Sequence, residues 1–397
     1  MRLLLAGFAL ALMLSGCSWF GGDDEELKPV DLVPFKAEIQ LKPAWDTRIG
    51  GDARDSVSKL VPALAGGRVF AASADGNIMA LSPENGRVIW KVAVEDLYSA
   101  EDRKNAFAPK SDVITGGVGV GADIVAVGTF AGEIVALHQS DGSLAWRSRT
   151  TSEVLSPPAI DRDLVVAHSI DGKVEAYDTL SGERKWIYST TIPSLTLRGT
   201  TTPVMNDQVV IDAFANGRVV VLDKEKGLAG IDRKVAVSQG KSDLERLVDI
   251  DGRMVLDGTD LYVVSYQGNL VCLDLANSGR EKWSVETSSV AGLDEGFGNV
   301  YVSGFNGELT AYDLASGRVV WKSDLLLRRD LTTPATISSY VAVGDYEGYI
   351  HLFAQADGRI VGRRKVYGDP LTSPPVVDGT RLYVMTNAGR LLAFDLR

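Results

Sequence analysis

Residues 307–321 read GELTAYDLASGRVVW, and this phrase decides the fold because it recurs along the chain. It consists of a glycine, a strand of alternating apolar residues, an aspartate, a Ser-Gly turn and a second strand with tryptophan. Further copies, two of them weak, occupy residues 76–90, 132–146, 172–186, 217–231, 268–283 and 348–362. An eighth copy starts at Gly389 and lacks its last strand, which is found at Trp45 near the other end of the chain.

The spacing of these copies predicts the architecture. Their first glycines lie roughly 39 to 56 residues apart, which is typical of four-stranded propeller blades. An apolar run such as residues 164–167 and a proline-containing segment such as residues 156–160 precede the phrase and supply two more strands. One such sheet cannot bury both faces alone. The sequence therefore predicts an all-β fold, an eight-bladed β-propeller of four-stranded antiparallel blades, closed by pairing the Trp45 strand with the C-terminal blade.

The repeated tryptophans and aspartates have structural roles in this scheme. Tryptophan offers a large apolar body whose N–H needs a partner, which suits docking against a neighbouring blade. The aspartates stand just before the turn, where a carboxylate can accept backbone N–H groups. The repeat assigns to such turns Asp178, Asp223, Asp274, Asp313 and Asp395.

The start of the chain is predicted to be a secretion signal, residues 1–16. Its apolar run is too short to cross a bilayer comfortably, and it ends in the sequence LSGC. This ending resembles the lipobox of bacterial lipoproteins, which implies acylation of Cys17. An ordinary signal peptide with a chance cysteine is the alternative. By the same resemblance, Ser18 after the cysteine favours sorting to the outer membrane.

Residues 17–41 are predicted to be the lipidated cysteine and a flexible tether, because glycines, acidic residues and scattered prolines favour a solvated linker. The single propeller domain is expected over residues 42–397, held to the membrane through the lipid anchor alone. Each acyl chain contributes about 0.8 kcal/mol per buried CH₂, so firm attachment takes more than one chain.

Composition excludes several function classes. The formal net charge is −11, so nothing suggests the basic face that nucleic-acid binding requires. Cys272 stands where other repeats have alanine and is expected to be a buried thiol. His138, His168 and His351 share no spacing, so the sequence predicts no metal site and no histidine-based catalytic residues.

Three connections are longer than the others, and all three join the last strand of one repeat to the next repeat. They should therefore project from one face of the disc. The first, residues 96–110, borders the glycine-rich residues 116–121. No Lys-Ser/Thr follows these glycines, so close packing is a better explanation for them than phosphate binding.

The second and third insertions carry the candidate binding residues. Leu195, Leu197 and Arg198 lie together in the second, and apolar side chains beside an arginine suit a protein interface. In the third, Asp249 and Asp251 alternate along the chain, which could offer carboxylates to a basic partner. Solvated connections with incidental charges are the alternative for both loops.

The lipobox, the eight repeats with their split closure and the LTLRG loop at residues 195–199 resemble the BamB family, lipoproteins of the outer-membrane β-barrel assembly machinery. The resemblance covers essentially the whole chain. It implies a scaffold without enzymatic activity or cofactor, in the outer membrane and facing the periplasm of a Gram-negative bacterium. Its implied partners are the POTRA domains of BamA, other members of the complex and nascent β-barrel proteins. The implied BamA contacts are Leu195, Leu197, Arg198, Asp249 and Asp251.

An enzyme is the alternative function. The same phrase also resembles the tryptophan-docked repeats of quinoprotein dehydrogenases, which implies a quinone cofactor with calcium on the propeller axis. Many members of that group have an adjacent cysteine pair, which this sequence lacks. The chain is also much shorter than their usual catalytic subunit.

Overall fold

The computed structural model describes residues 28–51, 60–99, 113–237, 241–242 and 244–397. Within these ranges the chain forms eight four-stranded antiparallel sheets. Short 3-10 turns occur at Val94–Leu97 and Leu275–Asn277, and no helix in the described part is long and apolar enough to cross a membrane. The predicted signal, Cys17 and most of the first insertion lie outside the described residues.

The first strand, β1 (Leu41–Arg48), belongs to the last blade, and each of blades 1 to 7 uses four consecutive strands. Blades 1 and 2 comprise β2 (Ala63–Ala65), β3 (Arg68–Ala72), β4 (Asn77–Leu81), β5 (Val88–Ala93), β6 (Ile114–Gly121), β7 (Ile124–Thr129), β8 (Glu133–His138) and β9 (Leu144–Arg149). Blades 3 and 4 comprise β10 (Ala159–Ile160), β11 (Leu164–Ser169), β12 (Lys173–Asp178), β13 (Arg184–Ser189), β14 (Val204–Met205), β15 (Val209–Ala213), β16 (Arg218–Asp223) and β17 (Ala229–Lys234).

The remaining blades follow the same plan. Blades 5 and 6 comprise β18 (Val255–Asp257), β19 (Asp260–Val264), β20 (Gly268–Asp274), β21 (Arg280–Thr287), β22 (Leu293–Gly296), β23 (Asn299–Ser303), β24 (Leu309–Asp313) and β25 (Val319–Ser323). Blade 7 and the C-terminal part of blade 8 comprise β26 (Ala335–Ile337), β27 (Tyr340–Gly344), β28 (Tyr349–Ala354), β29 (Ile360–Lys365), β30 (Val376–Asp378), β31 (Arg381–Met385) and β32 (Arg390–Leu396). The first strands of blades 1 to 3 contact one another in sequence, as do those of blades 5 to 8, which places these strands around the axis.

The predicted ring closure is confirmed. Blade 8 has the strand order β1-β32-β31-β30, and Trp45 of β1 lies opposite Ala393 of β32. Apolar clusters fill the interfaces between successive blades, and one of them joins blade 8 to blade 1 through Trp45, Leu391 and Val69. The core is therefore a continuous ring, and the two ends of the chain are fastened by the same sheet.

Tryptophans join successive blades by one recurring contact. Each indole N–H donates to a backbone carbonyl in the outer turn of the next blade, which is the turn between that blade's third and fourth strands, at 2.8 to 3.1 Å. The donors are Trp45, Trp90, Trp146, Trp186, Trp283 and Trp321. Each ring also covers the turn glycine. At Gly182, which has a φ of 70°, a Cβ atom would stand 2.5 Å from the ring of Trp146. Glycine is required there for both conformation and space.

The two weak repeats have physical explanations. Ile231 of blade 4 covers Gly279 as a tryptophan would, since a Cβ at that glycine would lie 2.7 Å from the isoleucine side chain. Gly362 of blade 7 faces the backbone of Ile39 instead, with its Cβ position 3.0 Å from the Ile39 carbonyl oxygen. Because β1 supplies the last strand of blade 8, that blade has no outer turn to receive an indole.

The repeated aspartates mostly act as predicted. Asp178 accepts the N–H of Ser181 at 3.0 Å, and this bond, together with Lys185, lowers the pKa of Asp178 to about 2. The same turn role is filled by Asp223, Asp274 and Asp313. The prediction is wrong for Asp395, which pairs with Arg381 at 2.8 Å. No outer turn follows Asp395, since β1 completes its blade.

Residues 28–40, in the predicted tether, lie against blades 6 and 7. The N–H groups of Glu38 and Ile39 donate to the Val361 carbonyl at 2.9 and 3.3 Å. Leu32 packs against the apolar cluster between these blades. Residues 28–40 therefore depart from the tether prediction, and the other residues of the predicted tether before Lys28 lie outside the described ranges.

Replacing the closing tryptophan should destabilise the whole ring. Trp45→Ala removes a buried ring and its hydrogen bond, so we expect the free energy of unfolding to fall by about 3–5 kcal/mol. Leu180→Ala is the control, because Leu180 is 85% exposed. Urea unfolding followed by tryptophan fluorescence measures both variants. Equal stability of the two would contradict closure through β1.

The turn aspartates predict a pH dependence. The folded pKa of Asp178 is about 2, below its ordinary value of 3.8. Its contribution to stability is therefore present above pH 4 and is lost as the pH falls from about 4 to about 2. Asp178→Asn should be less stable than the parent chain at pH 7, and the difference should shrink over that window in urea unfolding. A difference independent of pH would refute this role of the carboxylate.

Candidate functional loop cluster

The second and third insertions lie on one face of the ring. Residues 190–203 connect blade 3 to blade 4 and residues 235–254 connect blade 4 to blade 5. Connections of this kind run from an outer to an inner strand and emerge beside the hairpins between second and third strands. We call this side the loop face. The opposite side, which carries the tight turns with the repeated aspartates, is the turn face.

A buried carboxylate joins the two loops. Asp249 accepts the backbone N–H of Leu197 at 2.7 Å, although the two residues belong to different interblade connections. Asp251 lies against Gly199, where a Cβ atom would stand 2.4 Å from the aspartate carboxyl carbon. Glycine at 199 therefore allows the close approach of the two loops.

Burial changes the role expected for Asp249. Its side chain is 1% exposed, so its carboxylate does not face a partner as the sequence suggested. Burial raises the pKa of Asp249, although its hydrogen bonds with the Leu197 N–H and with Asp251 act to lower that pKa. Leu247 is buried as well, and the N–H of Tyr266 donates to the Asp249 carbonyl at 2.8 Å. This part of the third insertion is a packed support and not a solvated connection.

Arg198 is held in a defined orientation at the surface. Its φ is 58°, a left-handed conformation that costs an arginine about 1 kcal/mol. Its N–H donates to the Thr196 hydroxyl at 3.2 Å. The guanidinium pairs with Glu153 at 2.7 Å and lies 5.9 Å from the ring centre of Phe130. Partial burial raises the pKa of Glu153, while Arg198 opposes that shift.

These contacts build an exposed surface of mixed chemistry, which we call the docking surface and define as Phe130, Leu195, Leu197 and Arg198. Leu195 is 42% and Phe130 38% exposed, and the Arg198 side chain is 45% exposed. Exposed apolar groups around an ordered guanidinium are typical of protein interfaces. The arrangement therefore suits contact with another protein surface.

The sequence missed Glu153 and Phe130 as parts of this cluster. Glu153 lies in a connection of ordinary length and gave no signal. A sequence signal for Phe130 does exist. An aromatic residue stands two places before the repeat glycine in half of the hairpins on the loop face: Phe130, Tyr266, Phe305 and Tyr346. Two of these meet edge to face with ring centres 4.9 Å apart, so the aromatic positions continue across the loop face to blade 6.

The geometry gives the enzyme alternative little support. No cluster of three His, Cys, Asp or Glu suited to a metal ion exists among the described residues. His168 is paired with the buried Asp212 at 3.2 Å and His351 with Asp345 at 2.9 Å. A cleft of about 530 Å³ opens between blades 5 and 6. Its lining includes outer-strand residues, so it lies away from the axis where the resemblance places a quinone.

Fold and cluster together define an eight-bladed propeller of the tryptophan-docked class, with a preformed cluster of exposed apolar and charged side chains on one face. A family model described as "Outer membrane protein assembly factor BamB" matches residues 40–108, 103–323 and 306–397. The chain belongs to this BamB family.

Individual relatives agree with the family match. The outer membrane protein assembly factor BamB of Pseudomonas aeruginosa is 43% identical over 98% of this chain and 97% of its own. The crystal structure of BamB from Moraxella catarrhalis superposes with a TM-score of 0.79 at 28% identity, over 89% of this chain and 99% of that one. The structure of quinohemoprotein alcohol dehydrogenase from Comamonas testosteroni superposes with a TM-score of 0.68 at 14% identity, over 89% of this chain and 76% of the dehydrogenase chain. That likeness shows the fold alone.

Removing the buried support should loosen the loop while leaving the ring folded. In Asp249→Ala the Leu197 N–H loses a carboxylate acceptor that contributes about 1.5–3 kcal/mol. We therefore expect hydrogen exchange of the peptide covering residues 195–199 to become at least about tenfold faster. Asp207→Ala, an exposed site on the turn face, is the control. Unchanged exchange in Asp249→Ala would show that the loop holds its shape without this bond.

Proposed function

We propose that this chain is a non-enzymatic scaffold of outer-membrane β-barrel assembly and binds the POTRA domains of BamA through the docking surface. The observation that carries the proposal is the joining of two insertions by Asp249 and Leu197, which presents Leu195 and Arg198 in a fixed arrangement. Such preorganisation reduces the entropy lost on binding. The names of the relatives, which are outer membrane protein assembly factors, support the same reading.

The five residues singled out from the sequence divide into two roles in this proposal. Leu195, Leu197 and Arg198 contact the partner, with Arg198 reaching a polar or acidic group and the leucines filling apolar hollows. Asp249 and Asp251 shape the loop from beneath, so their replacement weakens binding without removing a contact. Phe130 belongs with the residues that contact the partner, and Glu153 belongs with those that shape the loop.

We further propose that acylated Cys17 anchors the chain to the outer membrane, with the propeller in the periplasm of a Gram-negative bacterium. The lipobox and the family support this placement. Other members of the assembly complex are then within reach. Outer edge strands such as β13 and β17 offer unpaired backbone groups to extended segments of nascent barrel proteins.

The quinoprotein enzyme is kept as the alternative to be tested. The 14% identity to dehydrogenases supports a common fold and no shared chemistry. Purified full-length chain can be assayed for bound quinone and calcium. Stoichiometric amounts of both would contradict the scaffold proposal.

Charge reversal at the docking surface should weaken partner binding. Arg198→Glu removes the guanidinium and places like charge beside Glu153, so we expect capture of BamA from detergent-solubilised membranes to fall at least about tenfold. The matched control is Arg162→Glu on the turn face, where the arginine side chain is 90% exposed. Capture equal to that of the control would exclude Arg198 from the interface.

A charge swap separates contact from shape. The double variant Arg198→Glu with Glu153→Arg restores an ion pair between the two positions. If Arg198 touches the partner, as proposed, capture stays low in the double variant. Recovered capture would mean that the pair acts only by ordering the loop.

A further inference from the structure

Residues 28–40 form a strap along the outer side of blade 7, tied to the ring at both ends. At one end the Gln40 N–H donates to the Arg397 carbonyl at 2.9 Å and the Arg397 N–H donates back at 3.0 Å. At the other, the Val30 N–H donates to the Leu327 carbonyl at 3.2 Å. Backbone bonds at both ends mean that the strap has a fixed path.

Two arginines of blade 7 hold the middle of the strap. Arg359 makes a two-pronged pair with Glu38 at 3.2 and 2.8 Å. Arg363 donates to the Val33 carbonyl at 3.1 Å, and its guanidinium lies 5.0 Å from the ring centre of Phe35. Bonds to main-chain carbonyls fix the path of the backbone itself.

Two further arginines, from the connection between blades 6 and 7, hold the N-terminal end of the strap. Arg328 donates to the Lys28 carbonyl at 2.7 Å. Arg329 donates to the Val30 carbonyl at 3.2 Å and is only 2% exposed. Its guanidinium also pairs with the fully buried Asp345 at 2.8 Å, so this donor is preset within the ring.

A buried network links the two sets of arginines. Asp345 contacts both Arg329 and His351, the latter at 2.9 Å. Arg363 donates to the other ring nitrogen of His351, Nδ1, at 3.1 Å, which requires that nitrogen to be unprotonated. Burial lowers the pKa of His351, so the neutral ring that this network needs is the favoured form. The strap is thus bound to a preorganised site.

The path of the strap gives the chain a direction. Glu38 and Gln40 lie near the start of β29 and the end of β32, on the turn-face side. Lys28 and Val30 lie beside residues 327–329, in a connection of the same kind as residues 190–203. Followed backwards, the described chain therefore reaches the loop face between blades 6 and 7 at Lys28.

The short remaining chain limits which face can approach a membrane. From Lys28 back to Cys17 is about 11 residues, which span at most about 38 Å in any conformation. An eight-residue strand such as β21 is about 26 Å long. If the turn face lay toward the membrane, most of the remaining chain from Lys28 to Cys17 would be needed to cover the length of a blade.

We propose that the strap sets the orientation of the anchored ring, so that the loop face lies toward the membrane. The inference rests on the proposed acylation of Cys17. The anchor leaves at blades 6 and 7, whereas the docking surface is built on the connections between blades 2 and 5. Partner domains bound there are then held between the ring and the bilayer. Releasing the strap adds 13 residues, or about 45 Å, to the reach of the tether and removes this restriction.

Fluorescence quenching from the bilayer tests the orientation. Full-length acylated chain, labelled at Asn306→Cys on the loop face or at Ser339→Cys on the turn face, is bound to phosphatidylethanolamine and phosphatidylglycerol vesicles containing a headgroup quencher. Both positions are exposed, and the other thiol, Cys272, is buried. Because strand length separates the labels by about 26 Å, we expect about threefold stronger quenching at position 306. Equal or reversed quenching would overturn the proposal.

Strap variants test the cause. Arg359→Ala combined with Arg363→Ala should speed hydrogen exchange of residues 28–40 by about tenfold and reduce the quenching difference. Arg359→Ala alone, at a side chain 51% exposed, serves as the variant least harmful to folding. Arg364→Ala is the matched control, since no contact joins Arg364 to the strap in the described part of the chain. Faster exchange with an undiminished quenching difference would overturn the role of the strap.

The mass of the N-terminal peptide separates the two proposals. An acylated Cys17 with equal quenching at positions 306 and 339 overturns the orientation and leaves the anchor standing. A chain without acyl groups on Cys17 overturns the anchor, and the orientation with it.

Discussion

The structure depends on one contact that six of its eight blade junctions share, an indole of one blade covering the turn glycine of the next. The contact needs a tryptophan, a glycine with a left-handed backbone and a backbone carbonyl that accepts the indole N–H. An aspartate holds most of the turns that carry the glycine, which is why tryptophan, glycine and aspartate recur together. Each blade exposes an apolar face that only its neighbour can bury. The series is complete only when Trp45 of β1 covers Gly86 of blade 1, so ring closure and the pairing of β1 with β32 are one requirement.

A closed ring fixes the interblade connections side by side, and the docking surface follows from that. Leu197 and Asp249 lie 52 positions apart in the chain, yet they meet because their connections flank the same blade. Arg198 reaches back across another blade to Glu153. Neither loop needs regular secondary structure of its own. The strap uses the ring in the same way, since its arginines come from blades 6 and 7 while its residues precede β1.

The sequence predicted what the repeat controls and missed what depends on burial. Periodic tryptophan and glycine gave the number of blades and the closure, and departures from the period pointed to the loops with Leu195, Arg198 and Asp249. The depth of Asp249 could not be read from the sequence, because a carboxylate among charged residues looks the same whether it is exposed or packed. The strap was missed because its prolines and charges resemble a linker, and the arginines that bind it lie about 300 positions away.

In the function we propose, the loop face, and not the turn face, receives the protein partner. Leu195 and Leu180 are both exposed leucines, on the loop face and the turn face respectively. Placing a photoreactive amino acid at either position and irradiating living cells tests the claim directly. We expect a crosslink to BamA from position 195 and none from position 180. A crosslink from position 180 with none from position 195 would contradict it.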